Sequence, residues 1–175
     1  MKCTKYVMMA TGAALVVLLG AAASDEGTGQ YKLGGAWIAN DGNGVVLNHV
    51  QIPLDPAGKT AALQVQTLSY GQAFADLITL LGGDQGSDSV GQIAMTGLDT
   101  GKATIVGQLQ KSGNPKVIKA VVVIVGDFRF TGPDTMVADY TIAFYPPSAD
   151  GLPHGEPMIG PLPAPTLTFK RVPLL

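Results

Sequence analysis

The chain has 175 residues and a formal net charge of −2 at neutral pH, with 14% charged and 46% hydrophobic side chains. Neither sign of charge is clustered, which excludes an evident basic face for nucleic acid or anionic membrane. With a single cysteine, the chain has no disulfide framework, so a domain of this length must rest on a packed core.

Residues 1–23 have the plan of a secretory signal peptide. Lys2 and Lys5 form a positive start, Tyr6 to Gly20 is largely apolar, and Ala21-Ala22-Ala23 offers small residues for cleavage before Ser24. The apolar run is shorter than the ~20 residues a spanning helix needs, so processing should leave no stable membrane insertion. Cys3 lies in the leader and would be removed with it. Residues 24–175 then form one β domain, in the periplasm or outside the cell, with 9 basic and 13 acidic residues.

Ser24 to Gln30 reads as a polar leader, followed by a strand from Leu33 to Ala39 that holds the only tryptophan, Trp37. Asn40 to Gly44 suits a hairpin loop, because Asn, Asp and Gly tolerate positive φ. A calcium loop beginning at Asp41 is set aside, since Ile52 stands where the bidentate glutamate belongs. Val45 to Ile52 returns as a strand, Leu54 to Lys59 turns, and Ala61, Leu63 and Val65 alternate against Gln64 and Gln66.

Gln72 to Leu81 is the helical signal: Phe74, Leu77, Ile78 and Leu81 fall on one stripe, and Gly82-Gly83 provides a stop. Such a helix covers an open end of a sheet, or acts as a lid over a ligand. Asp84 to Ser89 reads as a polar loop, and strands resume at Val90.

Val117 to Val125 is too rich in β-branched residues for a comfortable helix, and Gly126-Asp127 can break or bulge it. Thr131-Gly132-Pro133-Asp134-Thr135 is a turn, resembling Thr96-Gly97-Leu98-Asp99-Thr100. Then Met136, Ala138, Tyr140, Ile142 and Phe144 share one face, with Asp139 and Thr141 on the other. Residues 146–165 hold seven prolines and three glycines and read as a long loop. Thr166 to Val172 alternates as a closing strand.

The expected fold is all-β: an antiparallel up-and-down meander of about eight strands with one short helix. A closed barrel removes the exposed edges of such a meander, and a β-sandwich is the alternative. Three short pieces carry a likeness to a known family. Gly35-Ala36-Trp37 resembles the G-x-W of lipocalins, Ala138-Asp139-Tyr140 resembles their T-D-Y, and Arg171 stands where they carry an arginine over that tryptophan. The resemblance implies a lipocalin-like, or more broadly calycin-like, barrel closed by Gly35, Trp37 and Arg171. Here the helix lies mid-chain and the paired cysteines are absent.

No residue pattern in the sequence marks a catalytic site. His49 and His154 lack zinc-ligand spacing, G-x-S-x-G is absent, and no glycine-rich stretch has a phosphate-binding pattern. No cofactor and no metal are expected. The expectation is a non-catalytic, exported barrel whose specific role the sequence does not assign. One reading has it bind an apolar small molecule, on Val121 to Val125, Trp37, Tyr140 and Phe144, residues that an ordinary packed core explains equally well. The alternative is a structural or protein-interaction module of the cell envelope, presenting its proline-rich loop. Interior volume separates the two.

Overall fold

The fold follows from a computed structural model, which describes residues 31–40, 45–67, 72–83, 85–111 and 113–173. The expected signal peptide, the 24–30 leader and residues 41–44 of the first hairpin loop lie outside the described residues. The chain runs β1 (Gly35–Asn40), β2 (Val45–Pro53), β3 (Thr60–Thr67), α1 (Gln72–Leu80), β4 (Gln85–Gly86) and β5 (Ser89–Met95). It continues through β6 (Thr100–Lys111), β7 (Asn114–Gly132), β8 (Thr135–Tyr145), β9 (Ile159–Pro163) and β10 (Leu167–Arg171).

Eight of these strands close into an antiparallel meander barrel. Each of β1, β2, β3, β5, β6, β7 and β8 pairs with the next, and β10 inserts between β8 and β1. That last strand pairs Leu167 with Ala138 and Phe169 with Met136 on one side. On the other it pairs Phe169 with Ala39 and Arg171 with Trp37. Closure gives the meander no free edge at this level, and the sandwich alternative is set aside.

Turn chemistry spaces the strands. Between β2 and β3, Asp55 Oδ2 accepts both the Thr60 amide and its hydroxyl at 2.6 Å, while Oδ1 accepts the Lys59 amide at 3.2 Å. The Thr60 hydroxyl is the main cause holding the Asp55 carboxyl below its usual pKa. Helix α1 ends in a Schellman arrangement: Gly82 N–H donates to Thr79 O and Gly83 N–H to Ile78 O. Gly82 has φ of 71°, the left-handed conformation this ending requires.

Three local expectations need correction. Gly126-Asp127 neither breaks nor bulges β7, whose register with β8 runs unshifted from Val121 to Phe130. Gly126 is there for space: a Cβ would lie 3.3 Å from Tyr140 Cβ on the facing strand. The polar stretch before Val90 contains β4, two residues paired to Gln110 and Leu109, and β5 starts at Ser89.

The third correction concerns residues 146–165, which are not all loop. Ile159–Pro163 forms β9 along β8, beyond the point where β10 leaves it, pairing Leu162 with Ile142 and Pro163 with Thr141. Prolines are tolerated because this is an edge strand, and their missing N–H groups blunt that edge. The segment before it crosses the outer face of the sheet, since a Cβ on Gly151 would lie 2.6 Å from Gln108 Nε2. Val121 and Ala143 point outward by strand alternation, yet are 0% and 7% exposed.

The interior divides into two clusters. The larger joins Trp37, Ala39, Leu63, Val65, Phe128, Phe130, Met136 and Phe169 inside the closed ring. Phe128 occupies the space left by Gly101, where a Cβ would lie 2.2 Å from its ring. The smaller cluster lies where β6, β7 and β8 extend beyond the ring, with Ile78 of α1 packed on Leu109, Ala120, Ile142 and Phe144. The apolar stripe of α1 thus finds a wall to cover, which is what makes so short a helix stable.

Candidate functional site

The residues singled out for closure come together at one end of the barrel. The guanidinium carbon of Arg171 lies 4.4 Å from the centre of the Trp37 ring, which is fully buried. The Arg171 guanidinium donates to the Gly34 carbonyl and, at 3.3 Å, to that of Lys32, and pairs with Asp134 at 3.1 Å. Trp37 Nε1–H also donates to Gly34 O, at 3.3 Å. Gly35 has φ of 97° and leaves room for the arginine: a Cβ there would lie 3.0 Å from its terminal nitrogen. This cluster ties residues 31–34 to the last strand. Tyr31 stacks on Phe130 at 4.8 Å, and Leu33 N–H donates to Gly58 O at 2.8 Å.

Beside the tryptophan sits a buried polar pair, of which the sequence pointed to His49 but not to Gln51. His49 and Gln51 both face inward from β2 and are 7% and 2% exposed. Gln51 Nε2 lies 2.8 Å from His49 Nε2, and Gln51 Oε1 accepts the Gly34 amide at 3.2 Å. The imidazole sits between Trp37, at 6.3 Å between ring centres, and Phe169, at 4.9 Å. Burial among these rings pushes the His49 pKa down to about 4, so the ring is neutral at neutral pH. A base that weak, enclosed in the core, is poorly placed to take a proton from a substrate.

The second histidine belongs to a turn. His154 Nε2 lies 2.9 Å from Asp150 Oδ2, the Leu152 amide donates to Asp150 Oδ1 at 3.0 Å, and Ser148 Oγ donates to Leu152 O at 2.7 Å. The Leu152 amide first, then His154, hold the Asp150 carboxyl below its usual pKa. These groups bond one another and give the exposed segment its shape. Among the described residues, no three His, Cys, Asp or Glu gather to hold a metal ion. No described helix is long and apolar enough to cross a membrane.

Interior space is found at the α1 end. Among the described residues, a cleft between Ile78 and the wall formed by Val122, Ile124, Ile142 and Phe144 holds about 40 Å³ and is partly open to solvent. Ser87 and Ser89 stand at its polar side. Ser87 Oγ is taken up by the Gln108 amide at 2.9 Å and by donation to Asp88 O at 2.8 Å. A second hollow, about 260 Å³, opens to solvent beside Thr96 and Thr100, with Asp127, Arg129 and Asp139 around it. Asp127 faces Asp139 directly across β7 and β8, an arrangement that repels unless each is compensated. Lys102 pairs with the first at 3.3 Å and the Thr166 hydroxyl donates to the second at 2.5 Å.

No family model, curated protein sequence or solved structure matches this chain.

Proposed function

We propose that this protein is an exported, non-catalytic, lipocalin-like barrel that works through its outer surface and not by holding a ligand inside. The carrying observation is the state of the interior. Trp37, Phe128, Phe130, Met136 and Phe169 fill the closed ring, each 7% exposed or less. Among the described residues, the enclosed space at the α1 end is about 40 Å³, room for a few water molecules, whereas ligand pockets run to about 300–1,000 Å³. Kinship with lipocalins is supported by the eight-strand ring and by the meeting of Gly35, Trp37 and Arg171. Export is supported by the leader pattern of residues 1–23. An envelope protein is the partner class that fits. The 146–165 segment offers it Leu152 and Met158, exposed by 53% and 45%.

A second reading, an apolar small molecule held at the α1 mouth, is favoured by one observation. Val122 and Ile124 face inward yet are only half-buried, leaving an apolar wall partly wetted beside the helix. Titration with the fluorescent apolar probe N-phenyl-1-naphthylamine separates the two readings. No saturable fluorescence rise is expected. Stoichiometric micromolar binding, weakened by Ile124→Asp, would favour the ligand reading and sink the first.

A further inference from the structure

We propose that the Gln51 carboxamide is a proton-sensing catch: it holds the Tyr31–Gly34 segment on the barrel end while His49 is neutral, and lets go when His49 is protonated. One group at this contact has a role that is not open to choice. The Gly34 backbone N–H can only donate, so the Gln51 atom facing it at 3.2 Å is the carbonyl oxygen. The amide nitrogen therefore faces His49, and at 2.8 Å it needs an acceptor. His49 Nε2 must carry the lone pair, with the ring proton on Nδ1.

Protonation removes that acceptor. With a hydrogen on Nε2, the imidazolium meets the Gln51 amino group donor to donor. Turning the carboxamide over gives His49 its acceptor, but then sets the amino group against the Gly34 N–H. One carboxamide cannot accept from both, so either state loses a bond. Losing the Gly34 bond is the cheaper outcome. Gly34 lies at the partly exposed end of the barrel, whereas the imidazolium is enclosed by rings.

The charged and titratable groups around this seam do not relieve the conflict. On β10, Arg171 covers Trp37 and bonds Gly34 O, while Lys170 is exposed and donates to Thr135 Oγ1 at 3.0 Å. Asp134, on the turn between β7 and β8, pairs with Arg171. In the segment itself Tyr31 stacks on Phe130 and Lys32 is exposed. The residues of β1 and β3 registered with His49 are Trp37 and Val65, neither of which carries a charge. No carboxylate contributes to the depressed basicity of His49; burial alone does. The expected product is local. Arg171 still grips the Gly34 carbonyl while the amide end of the segment loosens over Leu33 and Phe130.

The test is NMR on the full exported chain. At pH 7, long-range ¹H–¹⁵N spectra should show His49 as the Nδ1–H tautomer. Amide exchange, corrected for intrinsic rates, should show Gly34 protection falling on the order of tenfold or more as His49 titrates in acid. Gln51→Glu, whose carboxylate accepts from both partners, should keep Gly34 protected in acid and raise the His49 pKa. If that variant does not fold, the wild-type measurements decide alone. The Nε2–H tautomer at pH 7, Gly34 protection that stays flat while His49 protonates, or Gly34 exchanging only by global unfolding would each overturn the catch.

Discussion

Replacing Arg171 by alanine should lower stability by about 2–4 kcal/mol, within the range of large single-site effects. The magnitude comes from three kinds of contact. The guanidinium on the buried face of Trp37 is worth about 0.5–2 kcal/mol. Its charge-assisted bonds to the Gly34 and Lys32 carbonyls carry about 1.5–3 kcal/mol each when isolated, and less when one side chain makes both. The pair with Asp134, whose side chain is 69% exposed, adds at most about 1 kcal/mol. Urea unfolding followed by far-UV circular dichroism measures the loss. Trp37→Phe removes the better π face and the indole donor to Gly34, so the double variant should lose less than the sum of the single losses. A coupling of about 0.5–2 kcal/mol is expected; losses that add to within about 0.5 kcal/mol would refute a shared interaction at the seam.

Three further outcomes follow from the geometry. Ile78→Ala should cost about 2–4 kcal/mol because its side chain is buried against Leu109 and Phe144, while Leu80→Ala, on the exposed side of α1, should stay within about 0.5 kcal/mol. Equal effects would mean the helix is not seated. Gly101→Ala should cost about 1–3 kcal/mol, since its Cβ would collide with Phe128, whereas Gly132→Ala meets nothing within 4 Å and should be near neutral. His49 has a folded pKa of about 4, below the 6.5 of an ordinary histidine, so the unfolded chain binds the proton more tightly. Its contribution is complete above pH 6.5 and is lost as pH falls toward 4, about 3 kcal/mol in all. Denaturation midpoints across that window, with His49→Gln as the untitratable control, check the sign; a His49→Gln difference independent of pH would contradict it.

The parts legible in the sequence are those where one local signal agrees with the fold. The alternation of Met136 to Phe144 fixes the inward face of β8, and the stripe from Phe74 to Leu81 places a helix that spans Gln72–Leu80, though the side chain of Phe74 lies outside the described residues. The strand β2 shows the limit. Val50 and Ile52 look like its core face, yet they are 44% and 56% exposed while His49 and Gln51 point inward. Register with β1 sets His49 opposite Trp37, and pairing, not hydropathy, decides which side is in. The edge strand β9 was hidden because proline argues against a strand unless its N–H side faces outward, which only topology reveals. Interior volume is likewise a sum over facing strands: Gly101 leaves a gap and Phe128 fills it, 27 positions later in the chain.

Native mass spectrometry of the protein recovered from the cells that make it tests the filled interior most directly. A filled interior gives the mass of the polypeptide alone, with no non-covalent apolar adduct under gentle conditions. A stoichiometric adduct of small-molecule mass, lost on collisional activation, would contradict it and place the function inside the barrel.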